Sequence, residues 1–85
     1  MITFLEGILV EKEPSRAVVN VHGVGYEVFI PLSSYDRLPP ADAPVKVLTY
    51  HQVREDAQIL YGFMSEAERG MFLRLLDVSG VGPKL

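Results

Sequence analysis

A chain of 85 residues, 48% of them hydrophobic, is long enough for one small domain with a real core and too apolar to stay disordered. Without cysteine it can hold neither a disulfide framework nor a thiolate metal site. No leader pattern and no apolar run of membrane-spanning length is present, so a cytoplasmic protein is expected, and a net charge of −3 excludes a broadly basic surface, leaving any phosphate contact local.

Residues 1–63 read as strands. Ile2 to Val10 is a β-rich run with Gly7 inside it, where a glycine marks a bulge or sharp bend. Residues 11–15 read as a turn around Pro14. Ala17, Val19 and Val21 alternate with Val18, Asn20 and His22 at the period of a strand. His22-Gly23-Val24-Gly25 turns the chain into a second alternating run, Tyr26 to Ile30, and the pair is predicted to be a hairpin. Ser33 to Leu38 fits a short helix between Pro31 and Pro39-Pro40, with a loop to Pro44. Val45 to Val53 alternates again as a fourth strand, Arg54-Glu55-Asp56 is a charged break, and Gln58 to Phe63 is a fifth strand. Five short strands with a helix between the third and fourth suit a closed five-stranded oligonucleotide-binding (OB) barrel, which also removes exposed strand edges.

Residues 64–85 change period. Ser65-Glu66-Ala67-Glu68 is a capping box. Met71, Phe72, Leu75 and Leu76 form a helical stripe, expected to be core against the barrel or further helices, with part of it exposed if those helices are absent. Gly70 inside this helix suggests close packing there. Gly80 stops the helix. Gly80-Val81-Gly82 allows a tight turn whose N–H groups can form an anion nest. Pro83 suits the start of a second helix, and Lys84 adds a charge. The layout is that of half a helix-hairpin-helix, a device that grips phosphate without reading sequence. Its second helix would lie beyond residue 85, so part of a longer DNA-binding chain is expected. An ordinary helix–turn signal is the plainer reading of the same residues.

Two side-chain groups could carry chemistry. Glu55 and Asp56 could act as an acid–base or metal pair. They converge only in a turn, however, since strand neighbours face opposite ways, and no third ligand falls nearby in sequence. They could equally be a solvated hairpin tip, or fixed negative charges that repel phosphate and so steer a nucleic acid. His22 and His51 lie on different strands without a ligand cluster, and read as surface or barrel-wall histidines. Gly23-Val24-Gly25 lacks the remainder of a phosphate-loop fingerprint, and no Walker, zinc or Gly-x-Ser-x-Gly pattern occurs. No cofactor is expected.

Met1-Ile2, Gly7, Gly23-Val24-Gly25-Tyr26-Glu27-Val28, Val53-Arg54-Glu55-Asp56-Ala57, Leu60-Tyr61-Gly62-Phe63 and Val78-Ser79-Gly80-Val81-Gly82-Pro83-Lys84-Leu85 occur in an order and spacing that resembles the RuvA family over the whole chain. Members are Holliday-junction-binding subunits of bacterial branch-migration complexes, acting in recombination and repair. The resemblance implies an OB barrel over 1–63 and, from 64, the start of a domain with two helix-hairpin-helix motifs. A later domain, not included in these residues, would contact a RuvB-type motor ATPase. It also implies a homotetramer on which a four-way DNA junction lies open, with a RuvC-type resolvase as a further candidate partner. The acidic pin of the family maps onto Glu55 and Asp56, and first-hairpin phosphate contacts map onto Ser79, Gly80, Gly82 and Lys84. Arg54 beside the pin either offsets repulsion or contacts a phosphate. Thr3, Phe4 and Glu6 depart from a family pattern of glycine at the third position and a basic residue at the fourth or sixth, which puts DNA or subunit contact by that strand in doubt.

The function expected is therefore structure-specific, sequence-independent junction binding by a subunit that hydrolyses nothing itself and leaves ATP chemistry to its motor. One rival is a protein-interaction and oligomerisation barrel with little DNA binding. The other is a metal-dependent nuclease using Glu55 and Asp56.

Overall fold

Period-two alternation of branched and polar residues produces five strands, and the computed structural model describes them within residues 1–79. They are β1 (Phe4–Glu13), β2 (Arg16–Val21), β3 (Val24–Phe29), β4 (Pro44–Val53) and β5 (Gln58–Phe63). A four-residue helix, α1 (Leu32–Tyr35), lies between β3 and β4, and α2 (Glu66–Ser79) follows β5. The strands close in the order β1-β2-β3-β5-β4. This is an OB-type barrel with its helix between the third and fourth strands, as the strand count and the slot of α1 suggest. All pairings are antiparallel except that of β3 with β5, which is parallel and has one paired position, Phe29 with Tyr61.

One long strand serves both sides of the closure. The first half of β1 pairs with β4 and the second half with β2. Gly7 sits at the changeover, where a Cβ would run into the Asn20 carbonyl, so only glycine lets the strands approach this closely. A register shift between Leu9 and Glu11 completes the bend. Inward positions of all five strands fill the interior. Leu9, Ala17, Val19, Val28 and Val47 are fully buried, with Leu5, Ile30, Leu38 and Val45 around them.

Three local expectations change. The turn at 11–15 shrinks to Pro14-Ser15, because β1 stays paired to Glu13 opposite Arg16. The turn at 22–25 shrinks to His22-Gly23, with φ of 51° and 91°, the two positive values of a two-residue hairpin turn. Val24 and Gly25 consequently pair with Val21 and Asn20. Gly70 is not a site of close packing, since a Cβ there would meet nothing within 4 Å. The helix stripe is divided as well. Phe72 and Leu76 are half-buried, whereas Met71 and Leu75 are 66% and 61% exposed.

Candidate nucleic-acid interface

Val53 pairs with Gln58, so residues 54–57 must close the β4–β5 hairpin, and the Arg54 N–H donates to the Ala57 carbonyl at 2.8 Å. This turn forces Glu55 and Asp56 into its two central positions. All four turn residues are exposed. Among the described residues neither carboxylate makes a salt bridge or side-chain hydrogen bond. No group of three His, Asp or Glu side chains suited to a metal ion occurs among the described residues. The tip is thus two adjacent, hydrated negative charges on a short projecting turn.

The foot of the turn is built differently. Gln52 lies two residues before Arg54 and is buried to 2% exposure. With its amide oriented by its partners, its oxygen accepts from Arg54 Nε at 2.6 Å and Nη2 at 3.0 Å, and its nitrogen donates to the Tyr61 hydroxyl at 3.1 Å. Sequence reasoning missed Gln52. It is an outward position of a barrel strand, on the face where Phe72 of α2 packs over Tyr50 and Tyr61. Its only signal is spacing, since Tyr50, Gln52 and Arg54 share one face of β4.

The cover is an aromatic cluster. Phe72 of α2 lies 5.9 Å from Tyr50, 5.3 Å from Tyr61 and 5.1 Å from Phe63, measured between ring centroids. Polar contacts set the direction of α2. The Ser65 hydroxyl accepts from the Glu68 N–H at 3.2 Å, which is the helix cap. The Glu68 carboxylate also accepts from Ser33, and the Met64 N–H donates to the buried Ser34 hydroxyl at 3.2 Å, tying α1 to the entry of α2. Burial alone would raise the Glu68 pKa. Hydrogen bonds from Ser33, Ser34 and Ser65, with the charge of Arg37, outweigh it and hold the carboxyl below its ordinary 4.5. Arg69 donates to the Thr3 carbonyl at 2.9 Å and pairs with Glu66 at 2.8 Å, fastening the helix to the start of β1.

The remaining candidates fall into place around this frame. His51 is a barrel-wall residue: Nδ1 accepts from the Ile2 N–H at 3.2 Å, and Nε2 lies 2.9 Å from Gln58 Oε1. His22 occupies the β2–β3 turn. Thr3 serves the barrel through its carbonyl, which also accepts from the Thr49 N–H at 2.9 Å, while Phe4 carries Lys46 over its ring at 4.8 Å and Glu6 sits opposite Lys46. Ser79 is the last residue of α2. Gly80, Gly82 and Lys84, and with them the expected hairpin, lie outside the described residues.

Fold and site together define a small OB-type barrel that projects an acidic hairpin and is clamped to a following helix. Residues 1–62 match the family model described as the RuvA N terminal domain, and the chain belongs to that family. It is similar to three proteins described as Holliday junction branch migration complex subunit RuvA. Identity is 54% over 84 residues for that of Methylobacillus flagellatus, 51% over 84 residues for that of Albidiferax ferrireducens and 47% over 85 residues for that of Idiomarina loihiensis. These alignments cover 99%, 99% and 100% of this chain but 43%, 44% and 42% of the relatives, so the chain spans less than half of their length.

Proposed function

We propose that this chain is the junction-facing part of a RuvA-type subunit, binding four-way DNA junctions by shape and charge rather than by sequence. Residues 1–63 form its barrel and residues 64–85 begin a helix-hairpin-helix domain. Four copies would bring four acidic turns to one hub. A carboxylate and a phosphate 4 Å apart repel by about 1 kcal/mol in water, so eight such charges can hold crossover strands apart. Backbone N–H groups near Ser79, Gly80 and Gly82, with Lys84, would grip phosphates farther out. The subunit works in the cytoplasm, takes no cofactor, and leaves ATP hydrolysis to a RuvB-type motor, with a RuvC-type resolvase as a further partner.

The observation that carries this reading is the Glu55–Asp56 pair, exposed at the tip of a hairpin and without a salt-bridge partner among the described residues. A metal-dependent nuclease needs a third ligand that the described residues do not bring to the pair. Shape-selective binding is tested by gel shift on a four-way junction and a linear duplex of equal length, with parent protein and the Glu55→Gln/Asp56→Asn double variant. The parent prefers the junction, and its affinity falls steeply with salt. The double variant binds duplex more tightly, by about three- to tenfold, so that discrimination shrinks. Equal discrimination by parent and variant rejects the repulsive role. Absence of any junction preference in the parent favours the protein-interaction barrel.

A further inference from the structure

Arg54 is one residue from Glu55 and two from Asp56, so a flexible guanidinium there would be expected to collapse onto the acids. No such ion pair forms among the described residues. Instead Gln52 holds it by the Nε and Nη2 donors at 2.6 and 3.0 Å. A guanidinium has two donor edges, a side-on edge made by Nε with one terminal nitrogen and an end-on edge made by both terminal nitrogens. Gln52 occupies the side-on edge with a neutral oxygen. The positive charge is therefore not cancelled by Gln52, and among the described residues Nη1 has no hydrogen-bond partner. Gln52 is itself fixed, being 2% exposed and bonded at 3.1 Å to Tyr61, whose ring lies 5.3 Å from Phe72.

We propose that Gln52 is a positioning residue, and that it holds Arg54 with its end-on edge free to take a DNA phosphate at the foot of the acidic turn. The inference rests on the junction-binding reading and adds an attractive element to a repulsive one. A backbone pushed from the tip by two carboxylates meets a pre-oriented cation at the base. Orientation matters because an unrestrained arginine must lose side-chain freedom on binding, whereas one already held has little more to lose.

The test uses the full-length protein and a four-way junction, with Kd measured across a salt series well below the melting temperature. Arg54→Gln should weaken binding about five- to tenfold and reduce the slope of log Kd against log salt by about 0.9, one phosphate contact. Gln52→Leu keeps the cation but frees it, so affinity falls about three- to tenfold with the parent's slope. Its Arg54 Nε–H resonance should also lose the slow exchange seen in the parent. Gln52→Glu keeps the accepting oxygen but neutralises the guanidinium, so its slope should approach that of Arg54→Gln even if Gln52→Leu fails to fold. A parent-like slope in Arg54→Gln overturns the phosphate contact. Parent-like affinity in Gln52→Leu, or a parent-like slope in Gln52→Glu, overturns the positioning role. Each of these can fail while the Glu55→Gln/Asp56→Asn double variant still changes junction preference, so the two readings fail separately.

Discussion

A Cβ placed on Gly62 would lie 2.8 Å from Val47 Cγ1, 3.1 Å from Val28 Cγ2 and 3.2 Å from Ile30 Cγ2, whereas one placed on Gly70 would meet open space. The first glycine makes room for the barrel core. The second only weakens a helix. Gly62→Ala should therefore destabilise the chain by about 1–3 kcal/mol through overpacking. Gly70→Ala should stabilise it by up to about 1 kcal/mol through helix propensity. Urea midpoints of the two variants against the parent check both, and a lowered midpoint for Gly70→Ala would show a constraint at that position that the fold does not explain. The same residue-level logic separates Glu55 and Asp56 from the acids held in ion pairs. Glu13, Glu27 and Glu66 each pair with an arginine, which leaves them little to offer a ligand. Among the described residues the turn pair has no arginine or lysine partner, and the three- to tenfold gain in duplex affinity expected for Glu55→Gln/Asp56→Asn tests its repulsive role directly.

At the scale of elements, α2 is fixed to the barrel at three places: the Phe72 aromatic cluster, the polar knot of Ser33, Ser34, Ser65 and Glu68, and the Arg69 bond to the Thr3 carbonyl. The knot has a pH signature. Despite burial, which opposes it, hydrogen bonds and Arg37 hold Glu68 below its ordinary 4.5 in the folded chain. As the pH falls, the unfolded state binds this proton first. The stability that Glu68 contributes is therefore complete above 4.5 and is lost as the pH drops through the lower folded value. Glu68→Gln should flatten the acid limb, giving a smaller loss of urea midpoint between neutral pH and about pH 3 than the parent shows. An equal loss in both proteins would mean that the knot does not depend on the carboxylate. The β4–β5 hairpin belongs to this scale too, since Gln52 and Tyr61 join its foot to the surface that α2 covers.

Across the whole molecule, charge is unevenly divided. Residues 1–63 carry eight acidic and five basic side chains, and residues 64–85 carry three of each. An acidic barrel cannot attract DNA broadly, so under the proposed junction-binding role affinity would come from local donors and specificity from where repulsion is placed. Apolar side chains are exposed on both parts, and three of the most exposed lie on the helices. Met71 and Leu75 on α2 are exposed, and Leu32 of α1 is 63% exposed. Such side chains mark a face that associates. The 85-residue chain in isolation is expected to self-associate with rising concentration, and Met71→Lys/Leu75→Lys should shift it toward monomer with the barrel intact. Light scattering with far-ultraviolet circular dichroism checks this, and a parent that is monomeric at high concentration would refute it.

Local alternation determined the five strands, because a half-buried strand needs apolar side chains at every second position whatever surrounds it. Ser65 to Glu68 likewise announced the start of α2, since a cap satisfies backbone N–H groups within four residues. The charged break at 54–56 was legible as a turn, and the RuvA-like spacing of its neighbours suggested the role proposed for it. Other features depended on residues far apart in the chain. Gly7 reads as a bend in sequence, but its need for glycine comes from Asn20 on another strand. Nothing in the sequence joins Gln52 to Arg54 and Tyr61; that contact exists only once β5 pairs with β4. The fate of the helix stripe, with Phe72 held and Met71 exposed, was decided by which side of α2 meets the Tyr50, Tyr61 and Phe63 rings. Periodicity reports which face of an element is apolar, whereas only the assembled fold brings distant side chains together and sets what covers each face.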